Sequence, residues 1–154
     1  MAKPFHAKLT GRMAEDMMQF RFINVDNVEP FTLDGTKTVA MCSKVYDGDT
    51  IHLIIPINGD FKRIICRMQG YNSAEIKGSG EEERKKAIAA RDRMSELVYA
   101  KVVYVELGKN DKYGRVLTNV FLIDGRDTVG ECVNDIMMRE GHGAPYNGKG
   151  EKKF

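Results

Sequence analysis

"TVAMCSKVYDGDTIHLIIPINGDFKRIICRM" (Thr38–Met68) contains three runs rich in β-branched and other apolar residues, parted by Asp47-Gly48 and Asn58-Gly59. Gly accepts positive φ, and Asp or Asn hydrogen-bonds its own backbone, so each dipeptide marks a hairpin turn. The stretch therefore predicts three consecutive antiparallel strands, "TVAMCSKV", "DTIHLIIPI" and "FKRIICRM". The first turn also raises a chemical question. It holds two carboxylates, Asp47 and Asp49, on either side of one glycine. Asp47 is expected only to shape the turn.

Beyond these strands, "SGEEERKKAIAARDRMSELVYA" predicts a helix. Ser79 and Glu82 have the spacing of a capping box, and acids in the first turn complement the helix dipole. Ala87, Ala90, Met94, Leu97 and Val98 recur at helical spacing and define one apolar face. "KVVYVEL" and "RVLTNVFLI" predict two further strands. "VGECVNDIMMREG" predicts a second helix, with Cys132, Val133, Ile136 and Met137 inward and Gly141 closing it. Three strands, a helix, two strands and a helix is the order of a five-stranded Greek-key barrel, the OB-fold. The expected class is α+β, mainly β, with two or three helices. Residues 1–37 form an N-terminal extension in which Met13, Met17, Met18 and Phe22 mark one short helix. Residues 38–146 are the barrel domain, and 147–154 a polar tail.

The chain has 154 residues, 42% apolar and 30% charged, which suits one folded domain rather than a disordered chain. Its net charge of +2 excludes a nucleic-acid binder that works by bulk charge, so phosphate binding needs a local cluster. Cys42, Cys66 and Cys132 have no metal-like spacing and read as buried free thiols, suited to a reducing compartment. The first residues show no apolar signal core, and no run of 18 apolar residues occurs. His6, His52 and His142 have no partner at catalytic or ligand spacing, so none receives a role.

"RMQGYNSAE" (67–75) follows the third strand with one guanidinium and one carboxylate, and "NDKYGR" (110–115) places Lys112, Tyr113 and Arg115 around a glycine turn. In a barrel of this order Asp49, Arg67, Glu75 and Arg115 can converge. Arginine's planar fork binds phosphate oxygens in pairs, and two such groups stabilise a five-coordinate phosphorus. Carboxylate and carbonyl oxygens suit a hard cation, and a carboxylate near the phosphate can take a proton from water. These are the parts of a metal-assisted phosphodiesterase.

"VYDGDTI", "RMQGYNSAE" and "DKYGRVLTNVFL…VNDIMMREG" resemble, in wording and order, the staphylococcal-type thermonuclease family over roughly residues 38–146. The resemblance implies a Ca2+-dependent nuclease acting on single-stranded DNA or RNA and leaving 3′-phosphate ends. It implies Asp49 as a metal ligand, Arg67 and Arg115 on the scissile phosphate, and Glu75 assisting the attacking water. Ser73 matches a position offering a backbone carbonyl to the metal. Lys112 and Tyr113 match residues on a terminal phosphate, and Tyr146 one that contacts the nucleotide. Asn72 departs from the pattern, which has a metal-binding aspartate there; one ligand charge fewer implies weaker Ca2+ binding. The alternative is a catalytically impaired descendant that binds nucleic acid or protein. No membrane and no obligate protein partner are implied. Without a secretion signal, the chain looks most like intracellular or large-virus-encoded members.

Overall fold

The computed structural model describes residues 7–77 and 80–146. Ser79, and with it the expected capping box, lies outside the described residues, as does the tail from 147. The chain divides into two compact units, Met1–Phe31 and Thr32–Phe154. In the first, α1 (Gly11–Gln19) carries Met13, Met17 and Met18 of the expected short helix, while Phe22 lies beyond it in a 3-10 turn (Phe20–Phe22); the N-cap Thr10 accepts a hydrogen bond from the Met13 amide at 3.1 Å. Capping by a threonine hydroxyl satisfies one of the amides that a helix start leaves open.

The second unit is mixed α and β, mainly strands. In chain order it contains β1 (Lys37–Val45), β2 (Thr50–Ile57), β3 (Asp60–Met68), β4 (Tyr71–Asn72) and α2 (Glu81–Val98). Then come β5 (Val102–Asn110), β6 (Val116–Asp124), β7 (Thr128–Cys132), α3 (Val133–Arg139) and β8 (Ala144–Pro145). The large sheet runs β3-β2-β1-β5-β6-β7, each neighbour antiparallel. Asn58 and Gly59 both have positive φ (50° and 81°), the conformation of the tight two-residue hairpin that their sequence predicts. β3 also pairs in parallel with β6 through Cys66–Val116, Arg67–Leu117 and Met68–Thr118. That pairing carries the Arg67 end of β3 to the start of β6, beside Arg115.

Alternation sorts the strands into two faces. Ile51, Leu53, Ile55, Cys66, Val103, Val105 and Val120 are buried. Against them lie Ala90, Met94, Leu97 and Val98 of α2, and Ala87, the remaining position of the predicted apolar face, is buried as well. Val133, Ile136 and Met137 of α3 complete the core. Each fully buried large aliphatic side chain stabilises by about 1.5–3 kcal/mol.

One element departs from expectation. "VGEC" does not open the last helix but belongs to β7, which pairs with β6 at Ile123–Val129 and Asp124–Thr128. Thr128 and Val129 are β-branched and follow the turn from Asp124, so a hairpin wins over a helical first turn. Gly130 packs so tightly on Asp124 that an added Cβ would lie 2.7 Å from its carboxylate. Cys132 consequently ends a strand and is half-buried rather than inward. Gly141, at φ +79°, terminates α3 as expected.

Cys42 and Cys66 are buried free thiols, as predicted. Burial pushes Cys42 up to about 11 and Cys66 up to about 12. Thiolate is the reactive form, so at pH 8 at most roughly one in a thousand molecules presents either as a nucleophile. A thiol–disulfide reagent should therefore titrate Cys132 first in the native protein and all three thiols after denaturation. Equal rates for the three in native buffer would contradict this packing.

Candidate functional site

The Asp47–Asp49 turn is built before its chemistry begins. The Tyr46 and Asp47 amides donate to the Thr50 carbonyl, and the Asp49 amide donates to Asp47 Oδ1 at 3.0 Å. Asp47 thus shapes the turn as expected. Gly48 allows a close seat: a Cβ there would lie 2.7 Å from Ala90 Cβ of α2 and 2.8 Å from Ser73 Cβ. From the other side, the buried Tyr71 hydroxyl donates to the Gly48 carbonyl at 2.7 Å. Tyr71 is itself covered by Gly143, whose added Cβ would lie 2.4 Å from the ring.

Asp49 is buried, at 2% exposure. Its Oδ1 accepts from the Thr50 hydroxyl (3.1 Å), and its Oδ2 accepts from the Ser73 amide (2.9 Å) and lies 3.2 Å from Arg67 Nη1. Arg67, 6% exposed, donates from Nη1 to the carbonyls of Met68 and Tyr71 and from Nη2 to Asn72 Oδ1. Arg115 reaches the same place from the turn just before β6. Its Nη1 donates to the Thr50 hydroxyl oxygen at 3.2 Å, and its Nε to Asp111 Oδ2 at 2.8 Å. Thr50 therefore links Asp49 to Arg115. Asp111 Oδ1 also accepts the Tyr113 and Arg115 amides, fixing the turn that carries Lys112 and Tyr113. The Tyr113 ring has Arg115 at 5.4 Å and Lys112 at 5.1 Å. Such cation–π contacts are worth about 0.5–1 kcal/mol at exposed sites.

The structure thus gathers Asp49, Arg67, Asn72, Ser73 and Arg115, with Lys112 and Tyr113 at the rim. Glu75 is exposed, two residues beyond Ser73. Tyr146 follows β8, which pairs with β4 at Tyr71–Pro145 and Asn72–Ala144, and its amide donates to the Gly70 carbonyl at 2.9 Å. Three residues in this framework were not predicted. Thr50 and Asp111 are described above. Buried Asn134 donates to the carbonyls of Gln69 and Thr118 and accepts from the Val120 amide, locking α3 to β6 and to the loop after β3. Asp111 had a signal, its place at the head of an Asp-x-x-Gly turn; Thr50 and Asn134 had none short of the fold.

The donors around this turn are of the kind a hard divalent cation takes. They are all oxygen: the Asp47 and Asp49 carboxylates, the Asn72 amide and Ser73. Burial first, and then the neighbouring Asp49 charge, push the Asp47 carboxyl up to about 7, and the Asp49 part of that push is one a bound cation would relieve. Ser73 Oγ is buried with no hydrogen-bond partner. Both observations fit Ca2+. Asn72 fits less well, because its Oδ1 is held by Arg67 while Nδ2, a donor, is buried without a partner. Accordingly, no three His, Cys, Asp or Glu side chains are grouped to hold a metal among the described residues.

In this small, mainly-β unit Arg67 meets the buried Asp49 and Arg115 its partner Thr50, and the family it matches makes it a nuclease-type or nucleic-acid-binding module. The model of the family described as staphylococcal nuclease homologue matches residues 66–153, and the chain belongs to that family. The match takes in Arg67, Asn72, Glu75, Arg115 and Tyr146; Asp47 and Asp49 lie upstream of it. Comparison with curated proteins returns no match. No helix among the described residues is long and apolar enough to cross a membrane.

Proposed function

We propose that the chain is a calcium-dependent phosphodiesterase that hydrolyses DNA, RNA or both and leaves 3′-phosphate ends. One observation carries the reading: Arg67 and Arg115, 48 positions apart in sequence, meet Asp49 and its partner Thr50. The finer fold reading, a five-stranded barrel of OB type, is supported by the parallel β3–β6 pairing. Asp49, with Asn72 and the Ser73 backbone carbonyl, would hold Ca2+, and the ion would polarise a phosphoryl oxygen and lower the pKa of attacking water.

The chain's own groups do the rest. Arg67 and Arg115 bind the phosphate oxygens and stabilise the charge that gathers on them as water adds. Glu75 holds the water and accepts its proton. The water oxygen bonds to phosphorus, the bond from phosphorus to the 5′-oxygen breaks, and that oxygen leaves with the bonding pair and takes a proton from solvent water. Lys112 and Tyr113 hold a terminal phosphate, and Tyr146 contacts the nucleotide.

Release of soluble nucleotides from single-stranded DNA, with calcium and with a chelator, tests this reading. Glu75→Gln is expected to lower the rate by about 10²–10⁴-fold, the usual worth of a positioned base. Asn72→Asp is expected to tighten the calcium titration severalfold, since it restores a ligand charge. Unchanged affinity and rate in Asn72→Asp would remove the metal from this place. The second reading, a nuclease-derived module that binds without cutting, is favoured by the Asn72 amide alone, whose oxygen serves Arg67. Binding without turnover at saturating calcium would select it.

A further inference from the structure

Tyr71 opens β4 directly after Gly70, whose φ of +93° lets the chain turn out of β3. The side chain is fully buried. A phenylalanine or a leucine would also fill an apolar site, but a phenol adds one directed contact, and when buried it needs a partner for its hydroxyl. It finds the Gly48 carbonyl, 23 positions away in sequence, at 2.7 Å. That carbonyl and the Asp49 amide belong to one planar peptide unit. The unit is held at both ends, by the Tyr71 hydroxyl on its oxygen and by Asp47 Oδ1, 3.0 Å from its nitrogen.

The next peptide is held as well, because the Asp49 carbonyl accepts from the Met68 amide at 2.8 Å. The Asp49 side chain leaves from the Cα between these two fixed planes. Its Oδ2 thereby stays 2.9 Å from the Ser73 amide and 3.2 Å from Arg67 Nη1. Release of the first plane would let the turn pivot and carry the carboxylate with it. β8 braces the phenol from behind. Pro145 pairs with Tyr71 and Ala144 with Asn72, and a Cβ on Gly143 would lie 2.4 Å from Tyr71 Cδ2 and 2.8 Å from Cγ. The ring cannot withdraw from Gly48 on that side while β8 stays paired.

We propose that Tyr71 is a positioning residue for the reaction: through the Gly48 carbonyl it fixes the Gly48–Asp49 peptide, and so the direction in which the Asp49 carboxylate faces Arg67 and the reacting phosphate. Being fully buried, it touches no substrate itself. The role rests on the reading of Asp49 as part of a phosphodiesterase site. It also gives β8 a purpose beyond closing the core, since the strand holds the phenol that holds the turn.

Tyr71→Phe keeps the ring and removes the restraint, and two readouts separate positioning from general weakening. The first is native-state hydrogen exchange at the Asp49 amide, compared with the Val105 amide of the core. A buried hydrogen bond left unmade changes a local equilibrium by roughly 5- to 150-fold, so exchange at Asp49 is expected to rise about tenfold or more beyond any change at Val105. The second is hydrolysis of single-stranded DNA at saturating calcium. There kcat is expected to fall about tenfold or more with KM within about twofold, because a small misplacement of a reacting group costs turnover rather than binding. Gly143→Ala, which presses on the ring and leaves the hydroxyl in place, should shift both readouts the same way, and it carries the test if Tyr71→Phe fails to fold. Ile55→Val, a core change farther along β2, should shift neither. Equal changes at Asp49 and Val105, or the same pattern in Ile55→Val, overturn the role. Full kcat in Tyr71→Phe overturns it too and leaves the hydrolytic reading standing. A wild type that never cleaves, with Asp49 exchange released in Tyr71→Phe, keeps the hold on Asp49 and refutes the hydrolytic reading.

Discussion

Arg67→Ala is expected to lower the unfolding free energy by about 3–5 kcal/mol, the range for removing one partner of a buried ion pair. The guanidinium is buried against buried Asp49, and it also satisfies the carbonyls of Met68 and Tyr71 and the amide oxygen of Asn72. Truncation leaves those acceptors without this donor. Domains of this size have only about 5–15 kcal/mol in total, so the variant should unfold early in a denaturant titration. Arg67→Lys separates charge from geometry. A single ammonium keeps the positive charge but cannot reproduce a planar fork that serves four groups, so an intermediate stability is expected. If Arg67 also binds substrate, both variants should lose turnover by about 10²–10³-fold, in line with the loss of one transition-state donor. A loss of less than about 1 kcal/mol in Arg67→Ala would mean that the pair behaves like an exposed one.

Gly48→Ala should be nearly as damaging through packing alone. The added methyl would sit 2.7 Å from Ala90 Cβ, 2.8 Å from Ser73 Cβ and 2.9 Å from Ser73 Oγ. Carbon atoms do not approach so closely, and neither Ala90 on α2 nor Ser73 beside Asn72 has a flexible end to move aside. Overpacking of this kind costs about 1–3 kcal/mol. The turn would have to lift from α2, carrying Asp49 away from the Ser73 amide. The matching experiment is a double-mutant cycle with Ala90→Gly, which by itself costs about 1 kcal/mol in a helix interior. Relief of strain predicts that the two changes together destabilise less than their sum. Strict additivity would show that the turn yields elsewhere.

The sequence was informative where local rules act alone. The Asn58-Gly59 turn, the α2 apolar face and the methionine-marked helix follow from spacing and φ preferences, whereas Gly48 lacks the positive φ expected of it and is required instead by its close approach to Ala90 and Ser73. Asp49, Arg67 and Arg115 stood out because charged groups beside turns are visible in a linear string. Thr50 did not, because a threonine in a strand reads as ordinary β propensity; its hydroxyl matters only once the β3–β6 pairing sets Arg115 opposite. Asn134 was hidden for the same reason, as its three hydrogen bonds reach residues far from it in sequence. The last helix is shorter than its sequence predicts, since Thr128–Cys132 can satisfy either period and only the β6 partner decides between them.

β8 and the glycine that covers Tyr71 carry a consequence for synthesis. The floor of the site, Gly70 to Asn72, receives its strand partner from residues 144–146. A nascent chain therefore emerges from the ribosome with Asp49, Arg67 and Arg115 already made but Tyr71 still uncovered. Until that late segment arrives, the hydroxyl that steadies Gly48 has no lid, and the pocket should stay loose beside the messenger that encodes it.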